Sequence, residues 1–284
     1  EETFFRFINF REWDISEMSS GKFISLISQG DDSMVGLPIF PSRVHRQSSL
    51  YVTPGSPLKT GADLRGKRVG LPEWGQSASV YTRGWLQHDM GVPLEEINWV
   101  QGGVNMPGRV EKVKLKLPKG VEIEPSPERS LSELLLAGDI DCIMTAHAPQ
   151  LFEDSSPEIV RLYPNYREVE EDYFRQTRIW PIMHLYAMRR DVFEEHPWVA
   201  MNLYRAFEEA KNRSLARAVE ITASRFPIAW CYDAGEKAKE LMGDDFFPYG
   251  IEANRPTLEA FTQYAFEQGL AHRKVEVEEL FPAN

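Results

Sequence analysis

Residues 64–84, with the sequence LRGKRVGLPEWGQSASVYTRG, carry the clearest structural signal of the chain. Residues 67–71 form a short β-rich run that a proline ends, and residues 73–76 form a tight connection. Ser77 or Ser79 then stands at the expected N-cap of a helix, before apolar residues at helical spacing. A strand that turns directly into a helix presents free N–H groups and the positive end of the helix dipole. The stretch therefore predicts a βα unit whose turn can bind a carboxylate or phosphate, although most helix caps bind no ligand.

The rest of the chain alternates strand-like and helix-like segments. This alternation predicts an α/β fold with a mostly parallel sheet and helices on both of its faces. In such sheets, ligands bind beyond the carboxyl ends of the strands. The expected strand ends lie at residues 17–19, 43–49, 73–77 and 145–147. We therefore expect the polar side chains of these segments to share one site.

Composition narrows the class of protein. The chain has 284 residues, of which 42% are hydrophobic and 26% charged, as in ordinary globular proteins. The net charge of −11 argues against a nucleic-acid partner, but it does not exclude a small anionic ligand. Two cysteines, Cys142 and Cys231, are too few for a disulfide framework or a cysteine-based zinc site. No apolar run approaches the roughly 18 residues of a membrane span, and no signal peptide is visible.

Two arginines are candidate clamps for a carboxylate. Arg43 and Arg46 lie close together, and the planar guanidinium binds carboxylates through two hydrogen bonds. In an extended segment their spacing places them on opposite faces, so only one need point into a site. Two solvent-exposed arginines are the alternative. His45, which lies between them, is a further candidate for ligand binding.

Two histidines are candidate proton donors, because imidazole titrates near neutral pH. His147 follows an apolar strand-like run, and His184 lies within another. A histidine in a strand is more often structural than catalytic, which is the alternative for each.

Other polar and aromatic residues complete the expected site. Glu73 and Glu17 are candidates to accept protons from ligand hydroxyl groups, or to pair with the arginines. Trp74 is expected to stack on an aromatic ligand, or else to fill an interface. The candidate hydroxyl ligands at the strand ends are Ser19, Ser77 and Thr145.

A metal site is the weaker interpretation of these residues. His45, His147 and His184, with Glu17 or Glu73, are ligand types that zinc or iron accepts. No pair among them has the HxH or HxxxH spacing of a metal motif. We therefore predict no metal and no other cofactor, with a divalent metal as the alternative.

Several segments together resemble the 4,5-dihydroxyphthalate decarboxylase family. The resemblance covers nearly the whole chain, and the combination of segments is more specific than any one of them. The segments include EETFFR (1–6), DISEMS (14–19), IFPSRVHRQSSLYV (39–52), GKRVGLPEWGQSASVYTRG (66–84), LLLAGDIDCIMTAHAP (134–149) and GDDFFPYGIEANRPTLEAFTQYAFEQGLAHR (243–273).

This family is similar to type II periplasmic binding proteins, which implies two α/β lobes with a ligand cleft between them. The implied lobe one comprises residues 1–54 and 186–284, and lobe two comprises residues 55–185. The implied crossing strands are residues 48–54 and 185–189. Since the family normally begins with a further βαβ segment, the resemblance leads us to expect such a segment ahead of residue 1.

The resemblance implies removal of one carboxylate from 4,5-dihydroxyphthalate, giving 3,4-dihydroxybenzoate and carbon dioxide. An aryl carbanion is too unstable to form directly, so a proton donor must first protonate the ring carbon. The expected partner is therefore a small aromatic dicarboxylate, in a cytoplasmic enzyme for which a monomer and a homo-oligomer are both open. The alternative is a periplasmic solute-binding protein that delivers an aromatic or other small carboxylate to an ABC transporter.

Overall fold

A computed structural model describes residues 2–282, which form an α/β fold with two separate sheets. Residues 1, 283 and 284, which the expected lobe one includes, lie outside the described residues. Among residues 2–282, no helix is both long enough and apolar enough to cross a membrane. The helices and strands in chain order are α1 (Glu2–Phe10), β1 (Ile15–Ser19), α2 (Ser20–Ser28), β2 (Met34–Arg43), β3 (Leu50–Val52), β4 (Arg68–Leu71), α3 (Ser77–His88), β5 (Asn98–Gln101), β6 (Ile123–Pro125), α4 (Leu131–Ala137), β7 (Cys142–Met144), α5 (Gln150–Glu153), β8 (Val160–Arg161), α6 (Tyr166–Thr177), β9 (Ile182–Arg189), α7 (Arg190–Glu195), α8 (Trp198–Ala218), α9 (Cys231–Met242), α10 (Arg255–Glu267) and α11 (Val277–Leu280).

The first sheet has three strands in the order β1–β9–β2. Both β1 and β2 run antiparallel to β9, so the two outer strands run parallel to each other. Our expectation of a mostly parallel sheet in each lobe is therefore wrong for this sheet. The reason is β9, which returns from the second sheet in the opposite direction and inserts between β1 and β2.

The second sheet has six strands in the order β6–β5–β4–β7–β3–β8. Strand β4 pairs in parallel with β5 and β7, and β5 pairs in parallel with β6. Strand β3, by contrast, runs antiparallel to its neighbours β7 and β8. The parallel pairing brings the carboxyl ends of β4, β5 and β7 to one edge of the sheet, where ligands bind in α/β folds.

The passages between the sheets differ from the expected lobe boundaries. Strand β2 belongs to the first sheet and β3 to the second, so the first passage lies at residues 44–49 rather than within 48–54. Strand β8 belongs to the second sheet and β9 to the first, so the return passage lies at residues 162–181 rather than 185–189. Each of these strands pairs with strands that are distant in the sequence, and this pairing decides to which sheet the strand belongs.

The quoted stretch 64–84 forms the expected strand and helix, β4 and α3. Gln76, rather than Ser77 or Ser79, occupies the N-cap position, and no side chain caps the helix. The helix is buried along most of its length. It packs closely on α10, since a Cβ added to Gly84 would lie 2.1 Å from the ring of Tyr264. This packing fixes the N-terminus of α3 at the edge of the second sheet.

Candidate active site

A cleft of about 630 Å³ is lined by residues from strands of the first sheet and from segments that follow strands of the second. Helix α1 forms one apolar wall with Phe4, Phe5 and Ile8. Further lining comes from α2, the end of β2, the start of β9 and the segments that follow β4, β5 and β7. The cleft therefore lies at the carboxyl ends of strands β4, β5 and β7, as α/β folds predict.

Two helix N-termini meet in this cleft. Ser19 immediately precedes α2, Ser77 opens α3, and their hydroxyl oxygens lie 3.0 Å apart. The Ser77 hydroxyl also accepts a hydrogen bond of 3.0 Å from the backbone N–H of Gly21. Both serines line the cleft, as expected. The positive ends of two helix dipoles thus adjoin a space large enough for a small anion.

Arg46 is the buried cation of the cleft. Its residue is only 8% exposed, and its guanidinium donates to the carbonyl of Ala146 at 3.3 Å and approaches the sulfur of Met183 at 2.8 Å. Its Nε has no hydrogen-bond partner, and the negative charge of Glu170 acts on the guanidinium without a hydrogen bond between the two side chains. Burial lowers the pKa of Arg46 to about 10, so the side chain remains charged at neutral pH. A buried, incompletely bonded guanidinium is a strong site for a ligand carboxylate.

The structure places Arg43 and His45 outside the cleft, contrary to their expected roles. Arg43 is buried and donates to the carbonyls of Trp180 at 2.9 Å and Pro248 at 2.5 Å, and to the side chain of Asn254. The buried ring of His45 stacks on that of Trp180 at 4.6 Å, and both ring nitrogens lack partners. Burial lowers the pKa of His45 to about 4. Both side chains are therefore parts of the interior rather than ligands for a substrate.

Trp74 and Thr145 also lie outside the cleft lining, contrary to expectation. Trp74 is fully buried, its Nε1 donates to the carbonyl of Gln268 at 2.8 Å, and the Arg83 guanidinium lies 3.7 Å from its ring. It fills an interface, which was the alternative to stacking on a ligand. The hydroxyl of Thr145 donates to the carbonyl of His147 at 3.0 Å and so shapes the turn that carries this histidine.

Glu73 lines the cleft but is enclosed by cations. It accepts hydrogen bonds from Lys22 at 2.7 Å and Arg109 at 2.8 Å, and Lys112 lies 3.4 Å away. Burial raises the pKa of the Glu73 carboxyl, but the charge and hydrogen bond of Lys22, with the charges of Arg109 and Lys112, bring it below its ordinary value. Glu73 is therefore a stable anion and a poor proton acceptor, which argues against its expected role as a base.

The structure brings His184 and Glu17 together. The Nδ1 of His184 lies 2.6 Å from Oε1 of Glu17, and the ring of Phe4 meets the imidazole edge-on at 4.8 Å. His184 lines the cleft and is partly buried, whereas His147 lines the same cleft as an exposed residue. Both expected proton donors therefore reach the space in which a ligand can bind.

Several of the residues that line the cleft were not predicted from the sequence. Lys22 lies in α2, while Arg109 and Lys112 belong to the β5–β6 connection (residues 102–122). The basic run in this connection is the only signal that could have indicated them. Among the described lining residues, four bear a positive charge and two a negative one: Lys22, Arg46, Arg109, Lys112, Glu73 and Glu111. The cleft is thus positively charged in a chain whose net charge is −11.

The metal alternative finds no ligand set. Among the side chains that the structure describes, residues 3–282, no group of three His, Cys, Asp or Glu is placed to hold a metal ion. Of the five residues considered for it, His184 and Glu17 contact each other, His45 lies in the interior, and Glu73 binds lysine and arginine.

Comparisons with known proteins agree with this architecture. No family model matches the chain. A 4,5-dihydroxyphthalate decarboxylase from Comamonas testosteroni is 35% identical over 282 residues, which are 99% of this chain and 86% of that protein. Another 4,5-dihydroxyphthalate decarboxylase, from Pseudomonas putida, is 35% identical over 176 residues, which are 62% of this chain and 68% of that protein.

Among solved structures, the periplasmic aliphatic sulphonate binding protein SsuA from Escherichia coli has a similar fold. The TM-score is 0.55 at 15% identity, and the match covers 98% of this chain and 82% of SsuA. The expected periplasmic-binding-protein-like fold is thereby confirmed. Since the identity to the Comamonas testosteroni protein extends over almost the entire sequence, the chain belongs to the 4,5-dihydroxyphthalate decarboxylase family.

Proposed function

We propose that this protein decarboxylates 4,5-dihydroxyphthalate to 3,4-dihydroxybenzoate and carbon dioxide. Its family membership supports this reaction. The observation that carries the proposal is Arg46, a buried cation whose Nε has no hydrogen-bond partner and which lines a cleft of suitable size. A dicarboxylate supplies the hydrogen-bond acceptor that this guanidinium lacks.

Substrate binding begins with the two carboxylates. Arg46 pairs with them, and the N-termini of α2 and α3 supply backbone N–H groups beside Ser19 and Ser77. The aromatic ring packs against the apolar wall that Phe4 and Ile8 form. Binding therefore fixes the charged edge of the ring while its faces lie against apolar side chains.

His184 is the favoured proton donor. Its Nδ1 contacts Glu17, so the other ring nitrogen, Nε2, is the one available to a ligand. The imidazolium transfers a proton from Nε2 to the ring carbon that bears the leaving carboxylate. The carbon–carbon bond then breaks, its electron pair returns to the ring, and carbon dioxide leaves. The neutral histidine regains a proton from water, and His147 remains the second candidate for this role.

No metal is needed in this scheme, because Arg46 and the helix N-termini supply the positive charge that a carboxylate requires. We therefore expect a chelator to leave turnover unchanged.

The direct test is incubation of the purified protein with 4,5-dihydroxyphthalate, with and without chelator, while the formation of 3,4-dihydroxybenzoate is followed by chromatography. Arg46→Met protein purified in the same way is the matched control, since it excludes a contaminating decarboxylase. We expect the unmodified protein to release 3,4-dihydroxybenzoate and carbon dioxide in equal amounts. We do not expect this release from the Arg46→Met protein. Tight binding without any product would contradict the proposal and favour the solute-binding alternative.

A further inference from the structure

Strand β2 carries a bulge at the point where it passes His184. Leu37 of β2 lies opposite Tyr186 of β9, so a regular antiparallel register would place Ile39 opposite His184. The register shifts after Leu37, and Ser42 takes that place instead. Bulges next to functional sites redirect side chains in this way. The bulge therefore puts a hydroxyl group beside the histidine, where an isoleucine would otherwise lie.

The bulge is held in place by the surrounding structure. It contains two prolines, which have no N–H to donate to a neighbouring strand and so interrupt the regular pairing. The carbonyl of Pro38 accepts a hydrogen bond of 2.9 Å from the N–H of Gly250. The next two side chains, Ile39 and Phe40, are fully buried. Packing on both of these side chains thus fixes where the strand resumes.

The bulge completes a row of three polar residues across the first sheet. Ser19 of β1 and Ser42 of β2 both lie directly opposite His184, one on either side of it. Directly opposite residues share one face of a sheet, and neighbouring strands lie about 4.8 Å apart. All three side chains line the cleft. Two hydroxyl groups therefore flank the imidazole, and the proposed mechanism does not yet use that of Ser42.

The proposed reaction brings a carboxylate to this row. His184 protonates the ring carbon that bears the leaving carboxylate, and this carboxylate is only one bond away from that carbon. It must therefore lie beside the imidazole. The two carboxylates of the substrate stand on adjacent ring carbons and need neighbouring partners. The helix N-termini beside Ser19 serve one of them, and Ser42 lies on the other side of His184.

We propose that Ser42 is a substrate-binding residue, whose hydroxyl donates a hydrogen bond to the leaving carboxylate next to His184. This inference rests on the proposed function and concerns the same cleft. A neutral hydroxyl orients the leaving carboxylate, whereas a cation would stabilise the very group that has to be lost and so would oppose the reaction. The product keeps only the other carboxylate, which stays with Arg46 and the helix N-termini because these are its charged partners.

Binding of two non-reacting ligands tests this contact separately from turnover. Phthalate carries both carboxylates, whereas 3,4-dihydroxybenzoate carries only the retained one. Ser42→Ala removes the hydroxyl at a half-buried position and keeps a small side chain, so the variant is expected to fold. Ser214→Ala is the matched control, because it removes the same group from an exposed position of α8 outside the cleft lining. Calorimetry gives the dissociation constants.

We expect Ser42→Ala to weaken phthalate binding about tenfold or more, which is the loss of one hydrogen bond to a charged group. Its binding of 3,4-dihydroxybenzoate should change less than about threefold, because the product lacks the carboxylate that Ser42 binds. Ser42→Thr keeps the hydroxyl and should bind phthalate within about threefold of the parent. Ser214→Ala should alter neither ligand.

Equal weakening of both ligands by Ser42→Ala, or unchanged phthalate binding, would overturn the contact. A Ser42→Thr protein that binds phthalate as weakly as Ser42→Ala would also overturn it, because the loss would then not follow the hydroxyl. Failure of the proposed function is a different observation, namely the absence of product from 4,5-dihydroxyphthalate with the unmodified protein.

Discussion

The Nδ1 of His184 lies 2.6 Å from Oε1 of Glu17, across two paired strands of the first sheet. In the register of β1 and β9, His184 is opposite Ser19, so the contact with Glu17 is a diagonal one on the same face of the sheet. A carboxylate at Nδ1 holds the imidazole in one orientation, as in other histidine–carboxylate pairs. The pair therefore presents Nε2 to the ligand.

Replacement of the two cleft histidines should separate the proton donor from its neighbour. His184→Gln should lower turnover by roughly 100- to 10,000-fold while the affinity for phthalate stays nearly normal, because a proton donor acts in the reaction step. His147→Gln, at the exposed position, is the matched comparison. Turnover rates and dissociation constants measured for both variants decide the assignment. If His147→Gln shows the large loss and His184→Gln does not, the roles are reversed.

Glu17 should act as a positioning residue for His184. In Glu17→Gln the side chain still accepts a hydrogen bond, but the amide no longer holds the imidazole as firmly as the carboxylate does. Turnover should fall about 10- to 100-fold with little change in phthalate affinity, as for other groups that orient a reacting side chain. Glu12→Gln, which removes a carboxylate from an exposed ion pair with Arg6, should leave both values unchanged.

A purely structural role of Glu17 would give a different pattern. It would lower thermal stability and affinity together with turnover, and nitrogen NMR of labelled histidine would show no change in which ring nitrogen of His184 carries the proton. We expect the opposite, namely a change in that NMR signature with thermal stability preserved.

The βα unit could be predicted from the sequence because its signals are local: a proline after the strand, a turn, and apolar residues at helical spacing. The choice between Arg43 and Arg46 could not. The partners that hold Arg43 in the interior are Pro248 and Asn254, which are 205 and 211 residues away in the sequence. The cations around Glu73 escaped prediction for the same reason, since Lys22 meets Glu73 across 51 residues and Arg109 meets it across 36.

The two arginines should respond differently to removal of their charge. Arg46→Met should reduce turnover about 100- to 1,000-fold through loss of the carboxylate partner. It should also leave the free energy of unfolding within about 1 kcal/mol, because a buried charge that is not hydrogen-bonded to its carboxylate neighbour adds little stability.

Arg43→Met is the matched variant in the interior. Because it leaves buried acceptors of Trp180 and Asn254 without a donor, we expect a loss of about 2 kcal/mol or more of unfolding free energy. Denaturant titrations give the stabilities, and calorimetry with phthalate gives the affinities. A loss of phthalate affinity in a folded Arg43→Met protein, with Arg46→Met unaffected, would show that the clamp is assigned to the wrong arginine.

His45 should make the stability of the protein depend on pH. Burial lowers its pKa from 6.5 to about 4, so between these values the unfolded chain binds a proton that the folded protein does not. The contribution to stability is therefore complete above the unfolded pKa and is lost as the pH falls towards the folded one. Between about pH 7 and about pH 5, this group alone should cost about 2 kcal/mol of unfolding free energy.

His45→Phe isolates this effect, since phenylalanine keeps an aromatic ring beside Trp180 and has no nitrogen to protonate. Denaturant titrations at several pH values should show that the variant loses about 2 kcal/mol less than the parent between about pH 7 and about pH 5. Lys114→Met, a surface change, should follow the parent. Parallel stability curves for His45→Phe and the parent would mean that His45 takes up its proton equally in both states, which its buried position between aromatic rings argues against.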